Sequence, residues 1–144
     1  MKASIDAIIQ REQAEYLEKL LPASSGLLAE MESYAAEHRV PIADREVALF
    51  LEITARAIKA RRVLECGMAI GYSVIHLARA MEDDGLVITI DPSEKMVAAA
   101  ENYFVRAKVR ERVRIEKGYA LDVIPTLHET FDHIFIDAVN LSSF

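Results

Sequence analysis

The stretch Arg62-Val63-Leu64-Glu65-Cys66-Gly67-Met68-Ala69-Ile70-Gly71-Tyr72-Ser73 decides the fold. Its first five residues are a short apolar run interrupted by one acid, which reads as a strand. Gly67 to Gly71 then form a turn that delivers the chain into an apolar helix from Tyr72 to Met81. Leu86-Val87-Ile88-Thr89-Ile90 repeats the strand pattern and ends at Asp91. Ser93 is placed to cap a helix in which Met96, Ala99, Ala100, Tyr103, Phe104 and Ala107 share one face. Val113 and Ile115 alternate with Arg112, Arg114 and Glu116, as in a third strand with one wet face near a sheet edge. A short helical or turn segment from Leu121 to Leu127 precedes a fourth strand, His133-Ile134-Phe135-Ile136-Asp137. Strands alternating with helices of this length imply right-handed crossovers and a parallel sheet. The expected class is α/β, doubly wound.

Upstream of this stretch the chain reads as helix. Between Ser4 and Leu20 the apolar positions Ile5, Ile8, Ile9, Tyr16, Leu17 and Leu20 are interleaved with charge. Pro22 breaks that run, and Ser24 or Ser25 can cap a second helix through Leu27, Leu28, Met31 and Tyr34, closed by Pro41. Asp44 is a candidate cap for a third, with Val47, Phe50, Leu51, Thr54, Ala55 and Ile58 at helical spacing. No stretch has linker composition. Residues 1–44 are therefore expected to pack as N-terminal helices on an α/β domain spanning 45–144. Downstream, Ile134-Phe135-Ile136 is apolar without alternation, the signature of a strand buried on both faces. The chain stops seven residues after Asp137, so nothing remains to pair on that strand's far side. Coverage by another chain would protect it; the preferred expectation is a domain incomplete at its C-terminus.

With 144 residues the chain is one domain or a piece of one. Its 52% hydrophobic and 28% charged residues exclude a disordered chain. The longest uncharged run, Cys66 to Ala78, is too short to span a bilayer. Lys2, Asp6, Arg11 and Glu12 leave no room for the apolar segment of a signal peptide. A single cysteine forms no internal disulfide, so a cytoplasmic location is expected. The net charge of −6 opposes nucleic-acid binding driven by overall basicity.

In a doubly wound sheet, ligands lie beyond the carboxyl ends of the strands, at the switch point. Gly67, Ala69 and Gly71 would let backbone approach a ligand there, at a helix N-terminus. Asp91, twenty positions past Gly71 and ending the next strand, is placed to accept hydrogen bonds from both ribose hydroxyls of a nucleoside cofactor. A dinucleotide site requires Gly-x-Gly-x-x-Gly, so that helix amides meet the pyrophosphate. Here the spacing differs, and Glu65 would repel a pyrophosphate. An acid suits a ligand that carries an ammonium group and no phosphate, which favours S-adenosylmethionine over NAD.

Four stretches carry a family resemblance: Leu27-Leu28-Ala29-Glu30-Met31, the loop Val40-Pro41-Ile42, Val63 to Ser73, and Phe131-Asp132-His133-Ile134-Phe135-Ile136-Asp137-Ala138. Residues 26–139 resemble the cation-dependent O-methyltransferases, the group of the catechol and caffeoyl-CoA enzymes; Ala69-Ile70-Gly71-Tyr72-Ser73 is the most specific piece. The resemblance implies a Rossmann-like, seven-stranded methyltransferase sheet using S-adenosylmethionine and a divalent, magnesium-like metal, acting on a small-molecule hydroxyl. By position, it implies that Glu65 and Gly67 line the methionine end with Ala43 nearby. Ser73 would bond the cofactor's carboxylate and Asp91 the ribose, with Tyr119 and Ala120 bordering the adenine. Asp137 would serve both metal and cofactor.

This sequence departs from the family pattern in three places. Tyr119 replaces a common acid, which would exchange an adenine-amine contact for ring stacking. Asn140 stands where a lysine base is usual and cannot act as a base at neutral pH. The family's later Asp-Asn metal pair has no counterpart, and one carboxylate is a poor magnesium site. No residue is assigned as general base.

The remaining polar and sulfur-bearing residues have plainer readings. Cys66 reads as a small core residue, Met68 and Met81 as core filler, and Ser73 as a helix-start hydroxyl and not a nucleophile. His38, His76, His128 and His133 show no ligand spacing. The run Arg106, Lys108, Arg110, Arg112, Arg114 and Lys117 reads as a solvated helix end and edge strand.

The expected function is S-adenosylmethionine-dependent O-methyl transfer. The alternatives are a non-catalytic cofactor-binding or interaction module completed by a partner chain, and a small NAD-binding domain. The N-terminal helices could cover the acceptor or form a homodimer.

Overall fold

The computed structural model describes residues 10–138. Four strands, β1 (Arg62–Cys66), β2 (Leu86–Asp91), β3 (Val113–Lys117) and β4 (His133–Ile136), form one parallel sheet in the order β3-β2-β1-β4. From β1 the chain steps outward to β2 and β3, then returns to the opposite side of β1 for β4. The crevice at the carboxyl ends of β1 and β4 is thus the switch point of a doubly wound sheet.

Helices α2 (Gly26–His38), α3 (Arg45–Ala57), α4 (Tyr72–Ala80) and α5 (Glu94–Arg106) build the larger core, against the sheet face that carries Val63 and Val87. Met31, Leu51, Ile75, Leu77 and Phe104 are buried within it. Each such side chain contributes about 1.5–3 kcal/mol. The opposite face carries Leu64, Cys66, Ile88 and Ile90, closed by Ala120 of the short helix α6 (Ala120–Val123) and by Leu127 and Phe131. The central strands β1 and β2 therefore read as continuous apolar runs because both their faces are covered.

Three expectations are corrected by the packing. The fourth strand is not buried on both faces: Ile134 and Ile136 are 56% and 61% exposed, while Phe135 packs on the larger core. The register pairs Leu64 with Ile134 and Cys66 with Ile136, so both isoleucines lie on the α6 side, beyond the reach of that short helix.

The third helix is rotated from the face its large apolar residues suggest. Ala48, Leu51 and Ala55 are buried, whereas Phe50 and Ile58 are more than half exposed. Two alanines flanking one leucine allow α3 to lie close against α4. Helix α1 (Arg11–Leu20) buries Ala14 and leaves Tyr16, Leu17 and Leu20 exposed; Ile5, Ile8 and Ile9 lie outside the described residues.

Caps follow position more than chemistry. Ser25 and Asp44 occupy cap positions without a side-chain cap bond, and the Ser24 hydroxyl donates to Glu32 instead. At α5, Ser93 Oγ accepts from Met96 N at 3.3 Å. The four arginines of the basic run form ion pairs: Arg106 with Glu30, Arg110 with Glu101, Arg112 with Asp83, and Arg114 with Glu116 and Glu129. Among the described residues no helix is long and apolar enough to cross a membrane.

Candidate functional site

A cavity of about 500 Å³ opens at the switch point, between the loop from Pro41 to Ala43 and the carboxyl ends of β1, β2 and β4. Of the residues singled out in the sequence, Ala43, Gly67, Ser73, Asp91, Tyr119 and Asp137 line it. Glu65 lies behind the wall with no exposed surface, and Ala120 is turned toward the smaller core. Ile42, Met96 and Tyr72, which sequence reasoning read only as helix, loop or core positions, also face it.

Asp91 organises the floor. One of its oxygens accepts from the backbone N–H of Met68 at 3.1 Å and of Ala69 at 3.0 Å; the other accepts from Ser93 N–H at 2.9 Å. A carboxylate offers about four acceptor positions. Two are spent on the turn and one on Ser93, so one direct bond to a ligand hydroxyl remains. A pair of ribose hydroxyls would have to share it.

The glycines serve the protein's own packing first. Gly67 has φ +93°, and a Cβ there would stand 2.7 Å from the carbonyl oxygen of Asp137. Its absence lets β1 and β4 close on each other, with Asp137 N–H donating to Cys66 O at 2.9 Å. Gly71 has φ +86° and begins α4; a Cβ there would stand 2.6 Å from the Phe104 ring carbon Cζ. The sequence expectation that these glycines make room for a ligand is incomplete: they make room for β4 and α5.

Glu65 is the most constrained ionisable group. Its carboxylate accepts from the Ser73 hydroxyl on one oxygen and from the Thr89 hydroxyl, at 2.8 Å, on the other. Burial, reinforced by the nearby Asp137 and Asp91 charges and opposed by the two hydroxyl bonds, pushes its pKa up to about 7. Thr89 was not identified from the sequence. The available signal was a lone polar residue inside Leu86-Val87-Ile88-Thr89-Ile90, in register with Glu65 across the sheet. Asp137 is likewise raised, by burial and then by Asp44.

The consequence for stability has a definite sign. Between its ordinary value near 4.5 and its folded value of about 7, Glu65 holds a proton in the folded chain that the unfolded chain has lost. Its contribution is therefore most favourable below the lower value and declines as pH rises through 7, by about 3 kcal/mol in all. Glu65→Gln is expected to gain stability relative to the unsubstituted chain by roughly that amount between pH 4 and pH 8. Urea midpoints across this range test it, and a difference that stays constant with pH would refute it.

The described residues do not form a site for a divalent metal. Among the described residues no group of three His, Cys, Asp or Glu side chains, Asp137 included, is placed to hold an ion. Asn140 lies outside the described residues. Two of the histidines are engaged elsewhere: the Nδ1 atom of His76 is 3.1 Å from a Glu52 carboxylate oxygen, and the Nε2 atom of His133 is 3.3 Å from the Thr54 hydroxyl. Cys66 is buried, and desolvation, with Glu65 adjacent, raises its thiol pKa, which opposes nucleophilic reactivity.

The family model for O-methyltransferases matches residues 11–143. The chain belongs to the O-methyltransferase family. It is 40% identical over 93 residues to a catechol O-methyltransferase of Niastella koreensis and 46% identical over 90 residues to one of Mycobacterium tuberculosis. Each match covers 62% of this chain, and 42% and 41% of the respective relatives. The aligned part of this chain thus spans about two fifths of those relatives' length.

Among solved structures, an O-methyltransferase from Bacillus cereus in complex with SAH superposes with TM-score 0.78 at 32% identity, covering 88% of this chain and 60% of that one. The O-methyltransferase TomG from Streptomyces achromogenes, in complex with SAM, gives 0.79 at 31%, covering 91% and 63%. The fold of this O-methyltransferase family member is accordingly the Rossmann-like sheet of those enzymes, represented by four strands.

Proposed function

We propose that this chain is the cofactor-binding portion of an S-adenosylmethionine-dependent O-methyltransferase that acts on a small-molecule hydroxyl. The observation that carries the reading is the charge of the cavity. Asp91 and Asp137 line it, Glu65 lies directly behind it, and no lysine, arginine or histidine is among its lining residues. Such a wall repels a pyrophosphate and favours a ligand with a sulfonium and an ammonium. NAD is disfavoured by the same charges.

The lining fits that ligand in outline. Asp91 has one acceptor position left for a ribose hydroxyl, and Met96 and Tyr119 supply apolar and aromatic surface for a base. The carboxyl groups favour positive charge at the β1–β4 end. The bound cofactor would supply an electrophilic methyl group on sulfur. The contribution of these residues is to hold that group still, exclude water and leave the methyl facing the acceptor, which is alignment catalysis. Among the described residues metal assistance finds no ligand set, and no step is assigned to it.

A second reading rests on a different observation. The exposed Ile134 and Ile136 on edge strand β4 fit a cofactor-binding module completed by further chain or by a partner. A homodimer and a cytoplasmic location belong to the same set of proposals, whereas nucleic acid and membrane are not proposed as partners.

Calorimetric titration with S-adenosylhomocysteine, with and without magnesium, tests the main reading. Micromolar binding, about −8 kcal/mol, is expected and should not depend on magnesium. A folded, monodisperse sample that binds NAD and not S-adenosylhomocysteine would overturn it.

A further inference from the structure

A second cavity, of about 340 Å³, lies between the α1–α2 linker (residues 21–25), α3 and α4. Its charge is opposite to that of the switch-point cavity: Arg45, His76 and Arg79 line it, and Glu52 is its single carboxylate. Two helical stripes build it. Arg45, Leu49 and Glu52 follow one another along α3, and Tyr72, His76 and Arg79 along α4, each at three- or four-residue spacing. Leu28 of α2 and Leu49 give it an apolar wall. Tyr72 lines both cavities, so the two lie back to back.

The one acid is already engaged. Glu52 meets Arg56 at 3.2 Å on one oxygen and His76 Nδ1 at 3.1 Å on the other. A carboxylate only accepts, so Nδ1 carries the hydrogen. His76 Nε2 is buried and has no hydrogen-bond partner among the described residues, a state that calls for an explanation in a folded chain. Arg45 stands 4.0 Å from Glu32. Arg79, one turn beyond His76, is exposed and forms no ion pair with a described residue. An uncompensated guanidinium and an orphaned imidazole nitrogen therefore converge beside apolar surface, which is the make-up of a small-ligand pocket. The linker opposite is irregular chain and can adjust to an occupant, whereas α3 and α4 are packed helices.

We propose that this cavity binds a small organic carboxylate, its charged end between Arg79 and His76 Nε2 and its hydrocarbon part against Leu28 and Leu49. Arg79 supplies the charge. A protonated His76 has two donors, and with the ligand in place both are used: Nδ1–H on Glu52 and Nε2–H on the ligand. The Tyr72 hydroxyl donates to Glu32 and its ring packs edge-on to His76 at 5.0 Å, so it forms a wall and competes for neither donor.

Benzoate is the probe. Calorimetric titration of the 144-residue chain is expected to give a Kd of about 1 mM or below. Benzamide, the neutral isostere, and acetate, which lacks the apolar part, should each bind about tenfold more weakly or worse. Arg79→Ala should weaken benzoate about tenfold. His76→Gln, whose amide can still donate to Glu52, should weaken it by a similar factor, and in the unsubstituted chain benzoate should move the Nε2 resonance of His76 toward its protonated position in nitrogen-15 NMR. Saturating S-adenosylhomocysteine should leave benzoate bound. If His76→Gln does not fold, Arg79→Ala, at an exposed position, decides together with the Nε2 resonance. Absence of saturable binding, equal affinity for benzoate and benzamide, or unchanged affinity in Arg79→Ala overturns the inference. Displacement of benzoate by S-adenosylhomocysteine also overturns it, by placing benzoate in the switch-point cavity.

Discussion

Replacing Asp91 by alanine is expected to lower folding stability by about 3 kcal/mol and affinity for S-adenosylhomocysteine by at least tenfold. Three backbone N–H groups, of Met68, Ala69 and Ser93, lose their acceptor at once. Asp91 is only 8% exposed, so water replaces the carboxylate poorly. The affinity falls for two reasons: the remaining acceptor position is lost, and the turn from Gly67 to Gly71 is no longer held in shape. Asp91→Asn separates them. It keeps one acceptor oxygen but turns an amide donor toward the turn, so stability should fall less and affinity should remain reduced. Urea denaturation and calorimetry on the same samples read both effects. Affinity within twofold of the unsubstituted chain would mean that the cavity is not where the cofactor binds.

Gly67→Ala is expected to be the more disruptive of the two glycine substitutions for ligand binding, although both glycines have positive φ. Adopting that backbone region costs a non-glycine residue about 1–2 kcal/mol at either position. The difference lies in what the new methyl meets. At Gly67 it meets the backbone carbonyl of Asp137, a residue whose N–H is already held to Cys66 O by a ladder bond, so it meets main chain and not a movable side chain. The strand ends must separate, and Asp137 leaves the cavity wall.

At Gly71 the new methyl meets the Phe104 ring, a side chain that can shift within the core at a packing cost. Gly67→Ala should therefore lose about 3 kcal/mol or more of stability and most of its ligand affinity. Gly71→Ala should lose comparable stability while a folded fraction still binds. Thermal melts with and without S-adenosylhomocysteine distinguish them: a ligand-induced rise in Tm is expected for Gly71→Ala and not for Gly67→Ala. Equal rises in both would contradict the close approach of β1 and β4 as the feature that shapes the site.

Much of the architecture was legible because it is written in short-range signals. The four strands and the turn after β1 follow from apolar runs and glycine spacing, and Ser93 caps α5 as its position suggests. Asp91 stood out because an acid closing a strand next to a glycine turn has few purely local uses. Burial was less legible. Phe50 and Ile58 look like core residues of α3 by hydropathy, yet Ala48 and Ala55 occupy the seam, since the separation of two helices decides which side chains fit between them. Ile134 and Ile136 show the same gap at β4: an apolar run states what a strand tolerates on each face, not what covers it.

By itself, then, the sequence determined the parallel α/β order, the turn at residues 67–71 and the acidic character of the cavity, because periodicity, backbone freedom and formal charge are properties of single residues and near neighbours. The tertiary structure alone decided how those residues are used. Glu65 is withdrawn from the cavity and grips Ser73 and Thr89, Asp91 spends most of its acceptor capacity on the turn and on Ser93, and the two glycines admit Asp137 and Phe104. Each outcome depends on groups from separate elements competing for the same buried space and hydrogen bonds, and only packing settles that competition.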